Sequence, residues 1–259
     1  MLVTSPLWRR LAAEFLGTAL LVTAVVGSGI MASRLSPSDV GLQLLENSTA
    51  TAFALTILIL VFGPISGAHF NPVVSAADWW LGRHGTDGLS ASDLGTYTIA
   101  QIGSAIVGAL LANAMFAVPL AMSTKHRSSP HLWLGETVAT AGLLLLIFAL
   151  VRTGRAALAA PAVGAYIGAA YWFTSSTSFA NPAVTIGRAF TDTFAGIAPV
   201  SVPGFIGAQI VGLLIGIALI VVLYPAKHRR SDAVVLSDVD AERTDTAEPT
   251  VTATAANTY

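Results

Sequence analysis

Cysteine is absent from all 259 residues, which rules out disulfides, thiol nucleophiles and sulfur-ligated metals. Charge is nearly as scarce. Asp, Glu, Lys and Arg make up 10% of the chain, against about 25% in soluble domains. The net charge is −1, so no basic surface points to nucleic acid. No His, Asp and Glu cluster stands at helical ligand spacing, so neither a metal, a cofactor nor an enzyme activity is expected. What the chain has instead is apolar sequence, with 54% hydrophobic residues and a mean hydropathy of +0.72.

Six apolar stretches, near 10–33, 45–63, 94–120, 131–151, 157–177 and 201–224, reach the length of about 20 residues that crosses a bilayer. The first follows Arg9 and Arg10 as a signal peptide would, but it is too long for one and contains Glu14. The expected fold is therefore an all-α, multi-pass protein of a lipid bilayer. With the N-terminus inside, Arg9, Arg10, Arg83, Arg152, Arg155, Lys227, Arg229 and Arg230 fall on the inner side. Arg34, Lys125, Arg127 and Arg188 fall on the outer side. This bias predicts a cell-membrane protein with both termini cytoplasmic. Residues 227–259 are polar and lack periodicity, and read as a disordered cytoplasmic tail.

The chain repeats itself. Segments around Glu14 and Glu136, Asn71 and Asn181, and Ala100 and Ala208 correspond in order; the last two pairs are offset by 110 and 108 residues. Residues 1–120 and 121–226 are thus two repeats of three spans, and an odd number of spans inserts them with opposite topology. Each repeat carries an Asn-Pro step, Asn71-Pro72-Val73 and Asn181-Pro182-Ala183. Asn is a good N-cap and Pro is favoured at the first helical position. Each step therefore starts a short helix, over 72–82 and 182–193. Helices of that length cover about half of a 30 Å hydrocarbon core, and inverted symmetry brings their N-termini together near the midplane. Non-helical backbone at that depth requires a water-filled cavity, so the sequence predicts a pore with two Asn side chains at its centre.

The two Asn-Pro motifs in repeat register, with "SGAHFNP" and "AEFLGT", resemble the aquaporin or major intrinsic protein family over about residues 8–225. The resemblance implies a passive channel for small neutral solutes, assembled as a homotetramer. It implies that Asn71 and Asn181 donate to passing solute, and that Glu14 and Glu136 support the loops before the half-helices. Glu14→Gln should then be tolerated, because Gln still accepts. Read without the family, a carboxylate in the membrane could also couple protons, which would make the protein an ion-coupled secondary transporter.

Carried over by spacing, the family's outer constriction falls on Thr51, Ala169, Ser178 and Val184, with Phe53 the alternative to Thr51. Val184 stands where the family usually has Arg. A filter without that Arg implies a wide pore passing water, glycerol-like polyols and metalloid hydroxides such as arsenite; a water-selective aquaporin is the alternative. "YWFTSSTSFANPAVTIGR" looks like a bacterial subgroup associated with arsenic solutes. Arg188 has two readings. It pairs with Asp192 along the helix surface, or it swings back and replaces the missing filter Arg. His69 is expected to be a hydrogen-bonded structural residue, and Asp78 likewise. The GxxxG spacings Gly164–Gly168 and Gly212–Gly216 serve close helix packing within or between subunits.

Overall fold

A computed structural model of the protein describes residues 5–83 and 88–225. The tail assigned to 227–259, and with it Lys227, Arg229 and Arg230, lies outside the described residues. The elements run α1 (Leu7–Leu35), α2 (Val40–Ser66), α3 (Pro72–Gly82), α4 (Ala91–Met115), α5 (Pro130–Arg152), α6 (Ala159–Phe173), α7 (Pro182–Gly187) and α8 (Val202–Leu223). Short 3₁₀ turns at Ala156–Leu158, Arg188–Phe190 and Pro199–Ser201 complete them. Among the described residues, six helical stretches are long and apolar enough to cross a membrane.

Packing follows the repeat. In the first half α1 packs most heavily on α4; in the second, α5 packs on α8. Both half-helices pack on α4, α7 the more heavily, and both also touch α8. Close approach between the long helices depends on residues without side chains. A Cβ at Gly108 on α4 would lie 2.2 Å from the Ala19 carbonyl oxygen of α1, so these two backbones are nearly in contact. The GxxxG glycines have the same use inside the subunit. A Cβ on Gly164 would lie 2.0 Å from Thr56 of α2, and one on Gly212 would lie 2.7 Å from the Thr137 carbonyl oxygen of α5.

The two half-helices begin as their motifs dictate and end differently. α3 has 11 residues and matches the expected 72–82. α7 has 6 and stops at Gly187, short of the expected 193, where the chain tightens into the 3₁₀ turn Arg188–Phe190. Gly187 lies hard against α4, its added Cβ 2.6 Å from the Ala105 carbonyl oxygen. Beyond it, Asn113 of α4 donates to the Phe190 carbonyl at 3.0 Å. Tertiary contacts with α4 thus take the place of a further helical turn.

Candidate pore site

Each Asn-Pro step is capped locally. The Asn71 side chain accepts from the Val73 N–H at 3.1 Å, with Pro72 in the first turn. Asn181 accepts from the Ala183 N–H at 3.0 Å and the Val184 N–H at 3.2 Å. Their amide nitrogens then reach across the repeat boundary. Asn71 Nδ2 donates to the Ala180 carbonyl at 2.7 Å, and Asn181 Nδ2 donates to the Phe70 carbonyl at 2.8 Å. A carboxamide has two N–H donors. The crossed bonds use one on each Asn, fix the side chain, and leave the other free to donate. Both Asn residues are buried, and two helix N-termini with their partial positive charge face each other here.

The loops before the motifs are matched residue for residue. Ala68 and Phe70 have φ of 50° and 49°; Ser178 and Ala180 have 49° and 48°. These are the third and first residues before each Asn. Left-handed backbone at L-residues costs on the order of 1–3 kcal/mol each, and the membrane-embedded carboxylates offset it. Glu14 Oε1 accepts from Ser66 Oγ at 2.7 Å and the His69 N–H at 2.9 Å; its Oε2 accepts from the Phe70 N–H at 2.7 Å and Gln101 Nε2 at 2.8 Å. Glu136 Oε1 accepts from the Phe179 N–H at 2.8 Å, and its Oε2 from the Ala180 N–H at 2.8 Å and Gln209 Nε2 at 2.7 Å.

Gln101 and Gln209 were not identified from the sequence as site residues, although "AQI" in each half was the signal that could have found them. Each also donates to a hydroxyl four residues past the Asn, Ser75 at 3.1 Å and Thr185 at 2.9 Å. His69 bonds Ser75 Oγ through Nδ1 at 3.0 Å, and Asp78 accepts from the Leu89 N–H at 2.8 Å.

The residues carried over by spacing differ in burial. Thr51 is 2% exposed and Phe53 67%, so Thr51 faces inward and Phe53 outward. Thr51 Oγ1 lies 3.2 Å from the hydroxyl of Tyr171. Ala169, the residue chosen by spacing, is exposed. The buried stripe of α6 runs through Val163, Gly164, Ile167, Ala170 and Tyr171. At about 100° per residue, Ala169 points away from the stripe that Tyr171 continues. Ser178 and Val184 are both buried, and the Ser178 hydroxyl has no hydrogen-bond partner among the described residues.

Arg188 does not pair with Asp192. α7 has ended, so no helical register joins them. Asp192 is exposed and accepts from the Thr124 N–H at 2.9 Å and Thr124 Oγ1 at 3.0 Å. Those bonds hold its carboxyl below the usual range. Arg188 is 2% exposed. Its guanidinium carbon lies 3.4 Å from the centre of the Phe179 ring, and its Nε donates to the Ala195 carbonyl. No sequence pattern signals this stack, because Phe179 and Arg188 belong to different segments of the loop.

Comparison with known proteins agrees with this geometry. The family described as Major intrinsic protein matches residues 1–180. The chain is 50% identical over 214 residues to an aquaglyceroporin, AqpS, of Rhizobium meliloti (strain 1021), covering 82% of this chain and 89% of that protein. It is 33% identical over 209 residues to Aquaporin Z of Brucella melitensis biotype 1, covering 72% and 86% respectively. Its fold resembles the X-ray structure of the aquaglyceroporin from Plasmodium falciparum, with a TM-score of 0.62 at 21% identity, over 83% of this chain and 96% of that one. With paired Asn-Pro half-helices in inverted repeats and these relatives, the chain belongs to the major intrinsic protein family: it is a multi-pass membrane channel for small solutes, not an enzyme.

Proposed function

We propose that the chain conducts small uncharged solutes passively, with water, glycerol-like polyols and metalloid hydroxides such as arsenite among them. One observation carries the reading. The crossed bonds from Asn71 to Ala180 and from Asn181 to Phe70 leave one amide donor per Asn at a junction of two positive helix ends. A neutral solute with oxygen lone pairs gains from that junction, whereas a cation is repelled.

The range of solutes is set at the outer constriction. Thr51, Tyr171 and Ser178 contribute hydroxyls and Val184 an apolar wall, so solute meets polar groups on one side without a charged fork beside the Asn pair. This favours solutes larger than water over a water-selective filter. The similarity to a protein named an aquaglyceroporin supports the same range. Arg188 stands one turn beyond Val184 and is held by Phe179 and Ala195. It supplies charge at the mouth rather than a neck. On this reading the protein works in the cell membrane as a homotetramer, with both termini cytoplasmic.

Shrinkage of proteoliposomes in glycerol, urea and arsenite tests this. Val184→Arg adds length and five donors at the constriction. It should cut glycerol and arsenite permeation much more than water permeation. Arg188→Ala should leave the ranking of neutral solutes as in the wild type. If Arg188→Ala widens the range while Val184→Arg changes little, Arg188 is the filter arginine and the wide-pore reading fails.

A further inference from the structure

Three cations of the outer segments grip three successive carbonyls. Lys125 Nζ donates to Phe194 at 3.0 Å, Arg188 Nε to Ala195, and Arg127 Nε to Gly196 at 3.0 Å. Two of them also share a ring. Phe179 has the Arg188 guanidinium carbon at 3.4 Å from its centre and that of Arg127 at 5.2 Å. Phe179 is the residue between Ser178, at the constriction, and Ala180, whose carbonyl holds Asn71. We propose that Arg127 is a specificity-determining residue of this channel: with Arg188 it forms a two-guanidinium barrier around Phe179 that excludes cations from the outer mouth.

The charge balance supports this. Among the described residues neither guanidinium has a carboxylate within ion-pair distance; the pair found there is Arg10 with Asp93, at the other face. The nearby acids are committed elsewhere, Asp192 to Thr124 and Glu136 to the half-helix loop. Burial pulls the Arg127 guanidinium below its ordinary value, against the attraction of Glu136. Burial likewise lowers Lys125, and the charges of Arg127 and Arg188 lower it further. Arg188 is withdrawn from water and Arg127 partly so, and guanidinium groups placed in this way without a carboxylate are costly. Fixed positive side chains at the mouth of a membrane pore set an electrostatic barrier to cations. With Val184 at the constriction no charged side chain stands beside the Asn pair, so side-chain charge at this mouth comes from the two arginines at Phe179, with Lys125 next to them.

The inference rests on the pore reading, and the experiment separates the two. Proteoliposomes are assayed for glycerol flux and for potassium and proton leak. Arg127→Gln keeps a donor for Gly196 and loses the charge. It should raise the ratio of cation to glycerol permeability about tenfold, the order expected on removing one unit charge beside a conduction path at intermediate dielectric. Arg127→Lys keeps the charge without the planar fork and should bring the ratio back towards the wild type. A role limited to stapling the 194–196 segment predicts the reverse, with Gln tolerated and Lys no better. The proposal is overturned if Arg127→Gln has the wild-type ratio, or if Arg127→Lys leaks as much as Arg127→Gln. Should Arg127→Gln fail to fold, Arg127→His read well above and below the usual histidine value of about 6.5, with the wild type as control, switches the charge within one protein. The ratio should rise at the higher pH, and a flat ratio overturns the proposal. Absence of glycerol flux in the wild type would instead sink the pore reading itself.

Discussion

Glu14 shows at the residue scale how the structure sharpens an expectation that the resemblance gave. Gln was expected to substitute because it still accepts. But Oε1 and Oε2 each take two donors, and a carboxamide offers one oxygen and turns an NH₂ group on the rest. Glu14→Gln should therefore leave buried donors unpaired, at about 1–3 kcal/mol each. Glu14→Leu, which accepts nothing, should be worse. Thermal unfolding in detergent should rank wild type above Gln and Gln above Leu; equal melting of wild type and Gln would show the four bonds to be dispensable. Ser178 gives a second test. Without cysteine the wild type has no thiol for mercurials, and flux should resist them. Ser178→Cys puts a thiol where a buried hydroxyl has no protein partner, and mercurial block should appear. Labelling of that thiol with unchanged flux would remove Ser178 from the constriction.

Helix starts were legible in the sequence and helix ends were not. Asn-Pro is a local signal, because the cap and the proline act within one turn, so α3 and α7 begin where expected. The end of α7 is decided by Gly187 against Ala105 and by Asn113 on Phe190, contacts between segments far apart in sequence. The same distinction explains Tyr171 and Arg188. Two residues along α6 separate an exposed Ala169 from a buried Tyr171, and a stack on Phe179 takes the place of a helical ion pair. The left-handed residues at 68, 70, 178 and 180 carry no glycine to announce them. The GxxxG glycines do act at this scale. Gly212→Ala would put a methyl 2.7 Å from the Thr137 carbonyl oxygen, a backbone atom that cannot swing aside. Overpacking of this kind costs typically 1–3 kcal/mol, so folded yield and melting temperature should fall. Gly207→Ala on the same helix, with open space around it, should be neutral by comparison.

For the whole molecule, the question left by two buried carboxylates is whether it rocks or stands still. Alternating access moves one repeat against the other around a fixed site. Here the repeats are tied together at that site. Asn71 of the first holds the Ala180 carbonyl of the second, Asn181 holds Phe70 in return, and each half-helix packs on the last helix of the opposite repeat. Rocking would break both crossed bonds and part α4 from α7. The two carboxylates also have a structural task, since each oxygen accepts from the loop it supports. A chain pinned in this way should conduct without a conformational cycle. Glycerol flux through reconstituted protein should rise linearly with the gradient, show weak temperature dependence, and ignore an imposed proton gradient. Flux that saturates and is driven by protons would mean that the crossed bonds open in each turnover, and the protein would then be a transporter built on a channel fold.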